Sequence, residues 1–279
     1  MKMLMEDIKK QQFKNIYLLM GEETYLRNQY RKRLREALLD PEDTMNAASF
    51  EGKGINPKEI IDLAETMPFF AERRVIEIRD SGFAKNACPE LADYIPDIPE
   101  STCLILTESE VDRRGRVYKA VKKSGRVVEF KRQDERTLAR WVLGTLKKEG
   151  KSITEETMHV FLGRTGADME NIDRELEKLL CYTIGKDLIT TEDVEAVCTE
   201  QTENRIFDMI QAITEQDQRR ALDLYADLLS MKEPPMRILY LITRQFHQLL
   251  QLKELSREGM ERGEMAKAAG VPPFAMGKY

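Results

Sequence analysis

The first half of the chain alternates short, wholly apolar runs with longer stretches in which apolar residues recur every three or four positions. Ile16 to Met20 is an uninterrupted apolar run, the pattern of a strand covered on both faces. From Tyr25 to Leu39 the spacing of Leu26, Tyr30, Leu34 and Leu38 predicts a helix that closes before Pro41. Asn56-Pro57 offers a side-chain cap and a first-turn proline to a helix carrying Ile60, Ile61, Leu63, Ala64 and Met67, which Pro68 is expected to stop. Further strands are predicted at Arg74 to Ile78, Thr102 to Thr107 and Gly125 to Phe130, with a basic helix near Arg116 to Lys123 between the last two. Such alternation calls for a mainly parallel sheet with helices on both faces.

After about Asp134 only helical spacing remains. Asp134 can cap a helix bearing Leu138, Trp141, Val142, Leu143 and Leu146, which Gly150 ends. Helices at Thr154 to Leu162, Asp168 to Cys181 and Thr191 to Val197 follow, with Thr154 and Thr191 as caps. Beyond Asn204 the helices lengthen: Arg205 to Thr214, Asp217 to Met231, and Pro234 or Pro235 to about Glu258. In the last, Ile238, Leu241, Ile242, Phe246, Leu249, Leu250 and Leu252 are expected to form one apolar face. The division expected is an α/β domain over 1–134, a small helical domain over 135–203 and a second helical domain over 204–279. No solenoid-type repeat or long low-complexity linker interrupts it.

The segment Tyr17-Leu18-Leu19-Met20-Gly21-Glu22-Glu23-Thr24-Tyr25-Leu26 has the layout of a phosphate-binding strand and loop without its chemistry. Such a loop needs G-x-x-x-x-G-K-[ST], so that backbone N–H groups, a lysine and a metal-binding hydroxyl converge on the phosphates. Counted from Gly21, the last three places hold Leu26, Arg27 and Asn28. Glu22 and Glu23 are expected in the first turn of the following helix, where they complement its dipole and repel a nucleotide. Two readings stand: an inert relative of a nucleotide-driven machine, or a glycine that merely ends a strand beside two capping glutamates.

Composition narrows the function classes. With 279 residues, 42% hydrophobic and 33% charged, the chain can bury cores in two or three domains. No apolar run approaches the roughly 20 residues of a membrane span, and Met1 to Asp7 lacks the apolar core of a secretory signal, so a cytoplasmic protein without membrane partners is expected. Cys88, Cys103, Cys181 and Cys198 lie far apart, and His159 and His247 are nowhere near ligand spacing. Buried thiols are expected, with no metal and no cofactor. A net charge of −5 argues against a stand-alone nucleic-acid binder. The basic runs Arg31-Lys32-Arg33 with Arg35, Arg113-Arg114 with Arg116 and Lys119, and Lys122-Lys123 with Arg126 suit solvated helix faces, with modest backbone contact to DNA left open inside an assembly.

Four further stretches complete a pattern: Arg73-Arg74-Val75-Ile76, Glu203-Asn204-Arg205-Ile206-Phe207-Asp208, the run Pro235 to Phe246, and Gly270-Val271-Pro272-Pro273-Phe274. Together with the Tyr17 to Leu26 segment, and in this order, they resemble the delta subunit of the bacterial DNA polymerase III clamp loader. The resemblance implies an AAA+-like architecture: a RecA-like parallel-sheet domain, a small helical lid and a helical collar. It implies a non-catalytic subunit of the holoenzyme, a DNA-directed DNA polymerase, that lacks a working nucleotide site. Such a subunit binds the ring-shaped sliding clamp (the beta ring), joins other loader subunits through the collar and meets primed DNA within the complex. The Ser-Arg-Cys motif of the motor and stator subunits is absent. An active ATPase and a DNA-binding helical protein remain the alternatives.

The family's clamp contact is a hydrophobic wedge at the end of a helix in the first domain, which maps to Met67, Pro68, Phe69 and Phe70, followed by Ala71. The family pair is often leucine then phenylalanine, so Phe69 keeps the apolar character and departs in shape. Successive side chains of an extended segment point to opposite sides, so at least one of the two aromatics is expected to project outward. The resemblance also implies that Gly270 to Phe274 starts a later collar helix, with Tyr279 about one turn into it, and hence a shortened collar.

Overall fold

The first elements are α1 (Lys2–Lys10), β1 (Ile16–Met20), α2 (Thr24–Leu38), β2 (Ala47–Glu51) and α3 (Pro57–Ala64). Next come β3 (Arg74–Arg79), α4 (Pro89–Tyr94), β4 (Thr102–Glu108), α5 (Arg116–Ser124) and β5 (Arg126–Glu129). The five strands form one parallel sheet in the order β2-β3-β4-β1-β5. Every residue of β1 and β4 is buried, which is why both are unbroken apolar runs or nearly so. On one face Ile16, Leu18, Ile76, Ile78, Leu104 and Leu106 form a core with Ile60 of α3, Leu91 of α4 and Val117 and Val121 of α5. The alternate residues Tyr17 and Leu19 are also buried, and α2 lies against β1 and β4. This computed structural model describes residues 1–199 and 202–271, in two units, Met1–Arg132 and Gln133–Tyr279.

Three elements of the first unit have no clear signal in the pattern. β2 is an edge strand of small and polar residues, in which only Ala48 and Phe50 pack against the core. α1 buries little beyond Leu4, and is tied down instead by Asp7, whose carboxylate accepts from Arg126 Nη2 at 2.7 Å and Tyr17 Oη at 3.2 Å. α4 is only six residues long. Helix α3 also stops at Ala64, short of Met67 and Pro68. Its end carbonyls are taken by side chains rather than by another turn: Thr102 Oγ1 donates to Ala64 at 2.8 Å, and Arg74 donates to Thr66 and Met67 at 3.2 Å each.

The second unit comprises α6 (Glu135–Lys148), β6 (Ser152–Ile153), α7 (Glu155–Thr165), α8 (Met169–Tyr182), β7 (Leu188–Ile189), α9 (Thr191–Val197), α10 (Thr202–Thr214), α11 (Gln218–Ser230), α12 (Pro235–Arg257) and α13 (Arg262–Ala268). Asp134 and Thr154 cap their helices as the sequence indicates, and Asp168 caps α8. The cap of α9, however, is Thr190 rather than Thr191, because Thr190 and Asp193 complete a reciprocal capping box. Strand pairing also persists beyond Asp134, since β6 and β7 form a two-residue parallel ladder too short to leave a periodic signal.

On α12 the buried stripe is Ile238, Leu241, Gln245, Gln248 and Leu252. Phe246 and Leu250 are exposed. At about 100° of rotation per residue both lie well round the helix from the centre of that stripe, Leu250 almost opposite it; the buried face is thus narrower than the expected apolar face and partly amide-lined. Cys181, on α8, is exposed, whereas the other cysteines are buried as expected. The collar-helix reading of Pro272 to Tyr279 falls outside the described residues.

Candidate functional site

The loop after β1 is closed by its own neighbours. Gly21 has φ +121°, and a Cβ there would lie 2.2 Å from the Phe130 carbonyl oxygen. That carbonyl accepts from the Glu23 amide at 3.1 Å, and the Phe130 amide donates back to Met20 at 2.7 Å. Arg27, in the lysine position of a phosphate loop, is buried, and its Nη1 donates to the Gly21 carbonyl at 3.0 Å. Burial lowers its pKa, while Asp80 and Glu108 favour its charge. Glu108, at the end of β4, accepts from Ser81 Oγ at 2.5 Å and from the Gly82 amide at 3.0 Å, and burial pushes its carboxyl above the ordinary range.

Neither glutamate occupies the first turn of α2, which begins at Thr24. Glu23 is the N-cap residue and is buried, while Glu22 is exposed and pairs with Arg132 at 3.6 Å. The backbone of Glu23, with ψ +86°, is outside the helical region, so the helix starts one residue later than the two glutamates would need. Leu26 enters the core and Asn28 points to solvent. The four places of the degenerate loop, Gly21, Leu26, Arg27 and Asn28, therefore do not converge on a common point.

The second site is the loop after α3. Phe70 is 96% exposed, Met67 78% and Phe69 57%, with Pro68 half-buried. Both aromatics project outward, edge to face with ring centroids 4.5 Å apart. An extended segment would have sent them to opposite sides. Phe70 instead has φ +50°, in the left-handed region. The Phe69 backbone is gripped by Asn46: its Oδ1 accepts from the Phe69 amide at 2.7 Å and its Nδ2 donates to the Phe69 carbonyl at 2.9 Å. Asn46 is in turn held by Asp43, whose carboxyl is kept below its usual range by hydrogen bonds from Asn46.

Both loops fall within a stretch that matches a known family. Residues 17–131 match the model described as DNA polymerase III, delta subunit, and residues 203–279 match that of the DNA polymerase III delta subunit, C-terminal domain. The chain belongs to the DNA polymerase III delta subunit family. It is 28% identical over 282 residues to DNA polymerase III subunit delta of Bacillus subtilis, covering 96% of this chain and 81% of that one. A probable DNA polymerase III subunit delta of Aquifex aeolicus is 22% identical over 269 residues, 92% of this chain and 75% of that protein. Among solved structures, the Bacillus subtilis DNA clamp loader delta protein superposes with a TM-score of 0.67 at 26% identity, over 99% of this chain and 85% of that one.

Membership of the delta family assigns the chain to DNA replication, and the AAA+-like fold class expected from the sequence, a parallel-sheet domain followed by helices, is the one found. Among the basic runs, Arg31, Arg113 and Arg116 are engaged by Glu77, Glu129 and Asp93. Among the described residues no acidic, histidine or cysteine cluster could hold a metal ion, and no helix is long and apolar enough to cross a membrane. Sequence reasoning missed Asn46, Asp43 and Arg74 as parts of the second site. Asn46 lies 23 residues from Phe69, and no local pattern announces a contact of that span.

Proposed function

We propose that this delta-family chain binds the ring-shaped sliding clamp through Met67, Pro68, Phe69 and Phe70 and holds one ring interface open for primed DNA, without ATPase activity of its own. The observation that carries this reading is Phe70, an aromatic side chain 96% exposed on a loop whose backbone is tightly held. Exposed aromatic anchors are the commonest binding hot spots, each worth roughly 2 kcal/mol or more on truncation. Pull-down of the cognate clamp by the full chain tests it, and a chain that leaves the clamp in solution overturns it.

Ring opening in this reading is a population shift, driven only by the difference in affinity for open and closed rings. Moving an equilibrium from 1:99 to 99:1 takes about 5.5 kcal/mol of preference for the open ring, whatever the total strength of the contact. We read 135–203 as a lid and 204–279 as a collar that joins other loader subunits. Packing of α10, α11 and α12 around Ile206, Ile210, Leu228 and Ile238 supports a separate helical cluster there.

The same reading predicts that the chain neither binds ATP at micromolar concentration nor hydrolyses it. The Glu23 amide is spent on Phe130, and the Arg27 guanidinium is turned onto Gly21 rather than outward. Equilibrium binding of a fluorescent ATP analogue measures this directly. Saturable micromolar binding would show that the loop opens and would favour an active ATPase.

A further inference from the structure

The aromatic pair is aimed by a residue that lies beneath it. Asn46 is 1% exposed and sits just ahead of β2, where its carbonyl accepts from the Val75 amide of β3 at 2.8 Å. Its side-chain amide meets both backbone polar groups of Phe69, as a neighbouring strand would. The orientation of that amide is dictated by chemistry: Asp43 Oδ2, 2.8 Å from Nδ2, can only accept, so Oδ1 must face the Phe69 N–H. Asp43 is itself oriented by the amides of Met45 at 3.0 Å and Asn46 at 2.9 Å. Upstream, the Arg74 guanidinium holds the carbonyls of Thr66 and Met67, and Pro68 has a ring-locked φ.

These contacts hold the backbone from Thr66 to Phe69. Phe70, directly after the held Phe69 carbonyl, has a left-handed conformation that aromatic residues avoid, and its ring lies beside that of Phe69 on the solvent side. We propose that Asn46 is the positioning residue of the clamp contact, ordering the Phe69-Phe70 pair before the clamp arrives. It touches no clamp atom itself; it lowers the ordering cost that binding would otherwise carry. This inference rests on the proposed clamp contact through Phe69 and Phe70.

The test is a double-mutant cycle with the full chain, measuring affinity for the cognate clamp ring by fluorescence anisotropy. Asn46→Ala is expected to weaken binding about tenfold or more, and Phe70→Ala to weaken it further still. Combined with Phe70→Ala, the Asn46→Ala change should cost far less than it does alone, because little remains to be aimed. Equal losses in both backgrounds would mean a purely structural role and would overturn the proposal. If Asn46→Ala fails to fold, Asn46→Ser, which lacks the two-pronged reach, is judged by the same criterion. Hydrogen exchange on the unmutated protein adds a readout free of folding effects: the Phe69 amide should be strongly protected, and exchange at the rate of an unstructured peptide would overturn the proposal. The two readings fail separately. Wild-type clamp affinity in Phe69→Ala/Phe70→Ala sinks the clamp contact itself, whereas loss there with wild-type affinity in Asn46→Ala sinks only the positioning role.

Discussion

Replacing Phe69 and Phe70 together by alanine is expected to abolish clamp capture and leave the thermal stability of the chain nearly unchanged. Their rings are 57% and 96% exposed, so little buried apolar surface is lost with them. Surface changes of this kind usually stay within about 0.5 kcal/mol of the parent. At an interface the same truncations remove two adjacent anchors, at roughly 2 kcal/mol each. At 1.4 kcal/mol per decade that is about a thousandfold in affinity. Anisotropy titration and a thermal scan of the same preparation separate the two effects. A variant that unfolds would show these to be core residues, and one that binds normally would move the clamp contact elsewhere.

The largest expected loss of stability lies at the degenerate loop. Gly21→Ala would place a Cβ 2.2 Å from the Phe130 oxygen and 2.9 Å from its nitrogen, at φ +121°. Both neighbours are backbone atoms of the segment that closes the loop, and no side-chain rotation relieves the clash. Overpacking costs about 1 to 3 kcal/mol, occasionally more, and an unfavourable backbone region adds a similar amount. A combined loss of roughly 3 kcal/mol or more should lower the melting midpoint of the α/β unit by on the order of 10 °C. Gly52→Ala is the matched comparison, because φ is +91° there with no atom within 4 Å of the added Cβ. It should show only the backbone part. Equal melting of the two variants would mean that the Phe130 segment yields and does not lock the loop.

How far the pattern reaches is clearest from particular elements. β1 and β4 declare themselves because burial on both faces demands continuous apolar runs. The caps Asn56, Asp134 and Thr154 declare themselves because a helix start satisfies its amides locally. β2 does not, since an edge strand packed only through Ala48 and Phe50 places weak demands on composition. Capping at Thr190 rather than Thr191 is one residue from the reading, and only the Asp193 contact separates them.

The sequence by itself determined that a parallel sheet precedes a helical region, that the phosphate loop lacks its chemistry, and that Phe69 and Phe70 are adjacent aromatics at the end of a helical segment. These are local properties, written in periodicity and in which residues are absent. Only the tertiary structure decided that Arg27 turns inward onto Gly21, that the Phe130 segment closes the loop, and that both aromatics face solvent. The closing of the loop and the grip on the aromatic segment depend on groups far apart along the chain, Phe130 against Gly21 and Asn46 against Phe69, brought together by the strand order. Hydrogen bonds of that span leave no periodic trace, because one asparagine or one backbone carbonyl suffices to make them.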